Sequence, residues 1–161
     1  PSAGIAIATE GKGDVDNILV YNNIVVDTAK TGIRIHRHDD DNGNITGIKF
    51  FHNTVYNAGD HGISISRTNT NAEIFNNIAW NSTNEAIENV KGGDLTLTLC
   101  SESFCTIRTT PLLSLADDTY IPWPNSPAID TATSFLIADD YYGTIRPQGI
   151  QLDYGAVEFV P

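Results

Sequence analysis

The densest group of basic side chains in this acidic chain lies around Arg34, His36 and Arg67. A guanidinium can neutralise the carboxylate of a substrate, and an imidazole can accept a proton near neutral pH. Arg34, His36 and Arg67 are therefore the candidate catalytic residues, with the two guanidinium groups in an electrostatic role and His36 as the base. An ordinary solvated strand face is the alternative interpretation.

A second group of polar side chains could hold a cation. Residues 38–43 read His-Asp-Asp-Asp-Asn-Gly, which half-matches the opening of a calcium loop, D-x-D-x-N-G. Asp40 and Asn42 stand at ligand positions of that pattern, but no glutamate follows at the twelfth position. We expect Asp40 and Asn42 to be the metal ligands if the loop binds Ca²⁺, and a solvated acidic turn is the alternative.

Two sets of large side chains are expected to stack into outward stripes along the chain. The first stripe is Tyr21, Phe51 and Phe75, and the second is Val26, Tyr56 and Trp80. An aromatic ring combines an apolar face with a polar edge, so these five aromatic residues are candidate substrate-binding residues. The alternative is burial beneath a loop or beneath the long C-terminal segment, and we expect at least one of the two stripes to be covered. Trp123, which lies between two prolines, is expected to be a packing anchor.

The elements that must position these side chains come from an internal repeat. Related segments begin at Gly4, Gly32, Gly62 and Ala86, so their starts are 28, 30 and 24 residues apart. Each repeat holds three short strands separated by an asparagine corner and a polar turn, which is typical of a stacked repeat fold. Period-2 alternation predicts the inward columns Ile18/Ile48/Ala72, Val20/Phe50/Ile74, Val25/Val55/Ala79 and Ile33/Ile63/Ile87.

Stacking also predicts columns of structural residues. Asn23, Asn53 and Asn77 should form one column, because asparagine tolerates the left-handed backbone of a one-residue corner and its amide can bond to the repeats above and below. Gly32 and Gly62, followed by Ala86, should form another column.

The pattern Asn-Asn-Ile-Val … Gly-Ile-Arg-Ile resembles the repeats of right-handed parallel β-helix proteins, the superfamily of pectate lyases, alginate lyases and chondroitinase-like polysaccharide lyases. The resemblance covers residues 4–90. It implies an all-β fold, a right-handed parallel β-helix with three strands per coil and an irregular C-terminal capping segment. We expect a single domain, with coils in residues 1–99 and the last coil and capping segment in residues 100–161.

The C-terminal part of the chain extends this resemblance. The elements Ser-Pro-Ala-Ile-Asp at 126–130, D-x-x-G-x-x-R-P at 140–147 and D-x-G-A-x-E at 153–158 are similar in order to the closing segment of many secreted bacterial β-helix proteins. The resemblance implies that they cap the helix, which an exposed coil end requires. Arg146 is expected to pair with an Asp or Glu of this segment in a structural role.

The net charge and the short apolar runs of the chain argue against nucleic acid and against a membrane-spanning segment. The chain has 161 residues and a formal net charge of -11, so nucleic acid is not an expected partner. No apolar run reaches the roughly 20 residues of a membrane span. Cys100 and Cys105 lie close together in the sequence, and we expect a disulfide between them if the protein is exported. The first repeat carries no cap, so we expect preceding coils of a longer chain, or a neighbouring subunit, to stack on it.

Two functions remain open at this point. The resemblance implies a secreted, extracellular, carbohydrate-associated protein, part of an enzyme that cleaves an acidic polysaccharide by β-elimination. The alternative is a non-catalytic β-helix subunit for glycan binding, adhesion or filament formation. A lyase requires a basic residue, and a metal or arginine, within reach of one groove, whereas a structural rod requires neither.

Overall fold

The computed structural model of the chain describes residues 3–9, 13–37, 43–65, 72–89, 94–95, 98–100, 105, 107–133 and 137–161. Within these ranges the chain is all-β, with strands, turns and irregular segments and no helix. The strands are β1 Ala3–Thr9, β2 Val15–Asp16, β3 Leu19–Tyr21, β4 Ile24–Val26, β5 Thr31–Arg37, β6 Ile45–Thr46, β7 Lys49–Phe51, β8 Thr54–Tyr56, β9 Ile63–Ile65, β10 Glu73–Phe75, β11 Ile78–Trp80, β12 Ile87–Asn89, β13 Asp94–Leu95 and β14 Leu99–Cys100.

These strands form three four-stranded sheets and one two-stranded sheet, and their pairings are parallel. The sheet orders are β1-β5-β9-β12, β3-β7-β10-β13, β4-β8-β11-β14 and β2-β6. Neighbouring strands in a sheet come from successive repeats of the chain. The parallel pairing follows because equivalent segments run in the same direction in each repeat.

The register places equivalent apolar residues side by side, as the inward columns predict. In the first sheet Ile5 pairs with Ile33, Ile33 with Ile63, and Ile63 with Ile87. The same holds in the other two large sheets for Val20/Phe50/Ile74 and Val25/Val55/Ala79. Nearly all of these side chains are buried in one continuous core, which confirms the predicted inward columns.

The asparagine column forms, but the left-handed corner lies one residue earlier than predicted. Nδ2 of Asn23 donates to Oδ1 of Asn53, and Nδ2 of Asn53 donates to Oδ1 of Asn77, each at 2.9 Å. The residues with positive φ are instead Asn22, His52 and Asn76. The reason is a division of roles, because the first residue of each pair turns the chain and the second bonds along the column. A second left-handed corner column consists of Asp27, Asn57 and Asn81.

The irregular C-terminal segment covers one outer face of the repeats. Outward residues of the third sheet, among them Ile78, pack with Leu113, Tyr120, Leu152 and Tyr154 in a second apolar cluster. Cys100 and Cys105 are joined by a disulfide at the start of this segment. The segment therefore determines which outward strand faces remain open to solvent.

Candidate functional site

The first sheet carries a column of polar side chains on its outward face. Arg34 pairs with Ser64, and Ser64 pairs with Glu88, across β5, β9 and β12. Neighbouring strands lie roughly 4.8 Å apart, so a cation, a hydroxyl and a carboxylate follow one another along the stacking direction. Ser64 is buried whereas Arg34 and Glu88 are half-buried, so the column holds opposite charges two strands apart on this face.

The hydroxyl of Ser64 donates a hydrogen bond to Oε2 of Glu88. Nδ1 of His61 lies 3.6 Å from that same carboxylate oxygen. In a serine nucleophile site the imidazole stands between the hydroxyl and the carboxylate, whereas here the carboxylate stands in the middle. Ser64 and His61 therefore position Glu88, and this arrangement is not that of a serine nucleophile.

His61 is a site residue that the sequence patterns placed at a turn, as a corner hydrogen-bonding residue and not as part of a site. Its imidazole also lies 3.2 Å from Asp60 and 3.5 Å from Glu85. The repeat alignment carried a signal for one of these contacts, because His61 precedes Gly62 just as Glu85 precedes Ala86. The backbone nitrogen of Gly62 donates to the carbonyl of Glu85, which brings the two preceding side chains together.

The predicted pair Arg34 and His36 lies on one strand face. Both are half-buried, two residues apart on β5, and alternation points them to the same outward side. Their partners across the edge strand β1 are Ala6 and Ala8, which are exposed. Because alanine side chains are short, the face beside the two basic residues is open toward that edge.

Three of the predicted site residues lie outside the described part of the chain. These are Arg67, the third candidate catalytic residue, and the candidate calcium ligands Asp40 and Asn42. Among the residues that the structure describes, no group of three or more His, Cys, Asp or Glu side chains is arranged to hold a metal ion.

The first aromatic stripe stacks as predicted but is largely closed to solvent. The rings of Tyr21 and Phe51 are parallel with centroids 5.0 Å apart, and those of Phe51 and Phe75 with centroids 5.3 Å apart. Phe51 is 2% exposed and Phe75 is 7% exposed, whereas Tyr21 is 45% exposed. Of the three, only Tyr21 offers a face to a sugar, so this stripe is largely covered, as we expected of at least one of the two.

The second stripe is half covered. Val26, Tyr56 and Trp80 are half-buried and pack against the second apolar cluster. The ring of Tyr56 lies 6.2 Å from that of Tyr120, which belongs to the C-terminal segment.

Trp123 contradicts its expected role as a packing anchor, since its side chain is 58% exposed.

A buried charged network joins the C-terminal segment to the corner at His52. Arg146 donates to Oε2 of Glu158 at 2.8 Å, and its Nη1 lies 3.3 Å from Nδ1 of His52. Desolvation, with the nearby Arg146 charge, lowers the pKa of His52 to about 3. Desolvation also raises the pKa of Asp153 to about 6. All four of these residues are buried, so the role of the network is structural.

Comparisons with known proteins do not assign a function. No protein-family model, no curated protein and no solved structure gives a significant match to the chain. In the part of the chain that the structure describes, no helix is long and apolar enough to cross a membrane.

Proposed function

We propose that this chain is a secreted, carbohydrate-associated protein that forms part of a polysaccharide-degrading enzyme acting by β-elimination on an acidic glycan. Its fold, in this proposal, is a right-handed parallel β-helix with three strands per coil, closed by an irregular C-terminal cap. The parallel register of the sheets and the resemblance of the repeats support the fold. The Cys100–Cys105 disulfide supports an extracellular location.

The observation that carries the proposal is the joint placement of Arg34 and His36. Both basic side chains lie on one outward strand face, and the exposed alanines Ala6 and Ala8 leave the neighbouring strip open. Glu88 lies two strands away on the other side. Since Glu88 would repel an anionic glycan, we place the glycan over β1 and β5 rather than over β12.

The proposed reaction uses these two residues in distinct roles. The guanidinium of Arg34 pairs with the carboxylate of the sugar and stabilises the negative charge that develops there. His36 accepts the proton from the carbon next to that carboxylate. The electrons of the broken C–H bond form a C=C bond, the C–O bond to the leaving sugar breaks, and its oxygen takes a proton from water. Arg67 is proposed as a second guanidinium, and Ca²⁺ on Asp40 and Asn42 as an additional neutralising charge.

Unsaturated products absorb ultraviolet light, which gives a direct assay. The protein is incubated with alginate, pectate and chondroitin, with and without Ca²⁺, and the absorbance is followed. We expect a rise on at least one substrate and a loss of about 100-fold or more in Arg34→Ala and His36→Ala. Lys49→Ala is the matched control, because Lys49 lies on another sheet and pairs with Glu73. A flat trace on every substrate would overturn the lyase proposal.

The second candidate is a non-catalytic rod that assembles end to end. The edge strands β1, β2, β3 and β4 favour this candidate. Each is the earliest strand of its sheet, and among the described residues none has a paired strand on its outer side. Unpaired edges are templates for further strands, here from preceding coils of a longer chain or from a neighbouring subunit. Analytical ultracentrifugation tests this, since assembly should increase with concentration and weaken in Leu19→Lys at the edge strand β3.

A further inference from the structure

An apolar cavity lies where the second aromatic stripe meets the C-terminal segment. It has a volume of about 180 Å³ and is lined by Tyr56 together with Pro111, Leu112, Leu113, Leu115 and Trp123. None of the described residues that line it carries a charge, in a chain whose formal net charge is -11. It lies on the outward side of the third sheet, apart from the Arg34 and His36 face.

The walls of this cavity keep large apolar groups in contact with solvent. The indole of Trp123 is 58% exposed, and Leu112 and Leu115 are each 40% exposed. Leu113 and Pro111 are buried and form its closed side. Small-molecule sites are concave and lined mostly by apolar and aromatic side chains with a few polar groups, and this cavity has a lining of that kind.

The backbone around the cavity is held in place. The backbone nitrogen of Trp123 donates to the carbonyl of Leu112 at 2.8 Å, and that of Ser126 donates to the carbonyl of Trp123 at 2.8 Å. Prolines on both sides of Trp123 further restrict its backbone. Leu112 itself has a φ of 48°, a left-handed conformation that is unfavourable for a bulky residue. The surrounding structure must maintain this conformation.

We propose that this cavity binds one small, uncharged aromatic ring, stacked against the indole of Trp123. The volume of the cavity suits a single ring rather than a helix or a strand. Uncharged walls would leave a carboxylate without a partner. A sugar ring would need more hydrogen-bonding groups than Thr110 and the ring substituents of Tyr56 and Trp123 provide. The proposal does not depend on the lyase reaction, which concerns a different face.

The two tryptophans allow a test with an internal reference. ¹⁵N-labelled protein is titrated with 4-methylphenol while the two indole N–H signals are followed, assigned through Trp80→Phe and Trp123→Phe. We expect a saturable shift of the Trp123 signal, with a dissociation constant on the order of 1 mM, and a much smaller shift of the Trp80 signal. 4-Methylbenzoate should bind at least tenfold more weakly, and methyl glucoside should cause no saturable shift.

Two variants and one control complete the experiment. Leu115→Glu, which places a charge at the exposed rim, should weaken binding of 4-methylphenol at least tenfold, as should Trp123→Ala. Tyr141→Ala removes an aromatic side chain of similar exposure outside the cavity and should leave binding unchanged. The proposal would be overturned by any of four results. These are unchanged binding in Leu115→Glu, equal shifts of both indole signals, tighter binding of the glucoside than of 4-methylphenol, and no saturable binding of 4-methylphenol to the unaltered protein.

Discussion

Nη1 of Arg146 donates a 2.8 Å hydrogen bond to Oε2 of Glu158, and both side chains are shielded from solvent. The guanidinium also donates to the backbone carbonyls of Gly155 and Asp153. In turn, Oε1 of Glu158 accepts from the backbone nitrogen of Gln148. The pair therefore holds the D-x-x-G-x-x-R-P and D-x-G-A-x-E elements together. It also places the C-terminal segment against the corner at His52.

Breaking this pair should strongly destabilise the protein. Arg146→Met leaves the Glu158 carboxylate buried without its cation, so we expect the free energy of unfolding to fall by about 3–5 kcal/mol. Lys49→Met is the matched control, since the Lys49–Glu73 pair is also 2.8 Å long but its side chains are 33% and 48% exposed. The control should cost less than about 1 kcal/mol. Urea denaturation measures both, and equal costs would contradict a structural role for the buried pair.

His52 and Asp153, which belong to the same buried network, should change the stability of the protein with pH in opposite directions. The pKa of His52 falls from 6.5 to about 3 on folding, so the native state binds fewer protons in that window and His52 makes stability decrease as the pH falls. The pKa of Asp153 rises from 3.8 to about 6, so Asp153 makes stability increase as the pH falls through that window. Between pH 4 and 6 the two effects oppose each other.

Substitutions should separate these two effects. His52→Asn is well suited, because Asn22 and Asn76 occupy the same left-handed corner position in the neighbouring repeats. Relative to the unaltered protein, the variant should gain about 1.4 kcal/mol per pH unit as the pH falls below 6. Asp153→Asn should show the opposite trend between pH 6 and 4. Urea midpoints at several pH values measure both, and parallel curves for all three proteins would refute the assignment.

The tautomer of His52 follows from its partners. Oδ1 of Asn76 accepts from the backbone nitrogen and hydroxyl of Thr133, which orients the amide so that its Nδ2 faces Nε2 of His52 at 3.1 Å. Nε2 must then accept, so the ring proton lies on Nδ1. Nη1 of Arg146 donates its two protons to Glu158 and to the carbonyl of Asp153, so its 3.3 Å approach to Nδ1 is a contact between two donors and not a hydrogen bond. Nitrogen-15 shifts of the imidazole in His52 should report this neutral Nδ1–H form at pH 7, and an Nε2–H form would contradict it.

The buried asparagine column should contribute more to the free energy of unfolding than exposed asparagines that also bond from repeat to repeat. Asn53 is fully buried and donates to the carbonyls of Val20 and Phe51 as well as to Asn77. Asn53→Ala leaves several buried groups without partners, so we expect a loss of more than about 2 kcal/mol in the free energy of unfolding. Asn84→Ala is the control, because Asn84 is exposed and bonds along its own column to Asp60. Thermal or urea denaturation in which the two variants lose the same stability would count against the prediction.

Gly32 is predicted to reject any side chain. A Cβ on Gly32 would lie 2.6 Å from the carbonyl oxygen of Gly62 and would overlap Val55, so Gly32→Ala should cost about 1–3 kcal/mol. A Cβ on Gly13 meets no described atom within 4 Å, so Gly13→Ala should be neutral or stabilise by up to about 1 kcal/mol. Unfolding midpoints of the two variants check this, and a tolerated Gly32→Ala would show that the repeats can separate.

Much of the fold was predictable because its signals are local. Alternation along each strand identified the inward isoleucines, and the repeat placed Arg34, Ser64 and Glu88 on neighbouring strands. The corner was placed one residue late, since Asn22-Asn23 and Asn76-Asn77 are doublets in which either residue tolerates the left-handed backbone. In the repeat between these two doublets, His52 has the left-handed backbone and Asn53 bonds along the asparagine column. Composition alone does not reveal which of the two residues turns the chain.

The sequence by itself determined the repeating strands, their inward columns and the basic outward face at Arg34 and His36, because each depends on residues a few positions apart or one repeat apart. Only the tertiary structure decided which faces stay open. The C-terminal segment contacts strands and corners from which it is separated by up to 117 residues, as in the bond from Asn22 to the carbonyl of Asp139. Phe51 is buried, Arg146 is shielded and Trp123 is exposed in a structure with these long-range contacts. No local sequence pattern encodes such contacts.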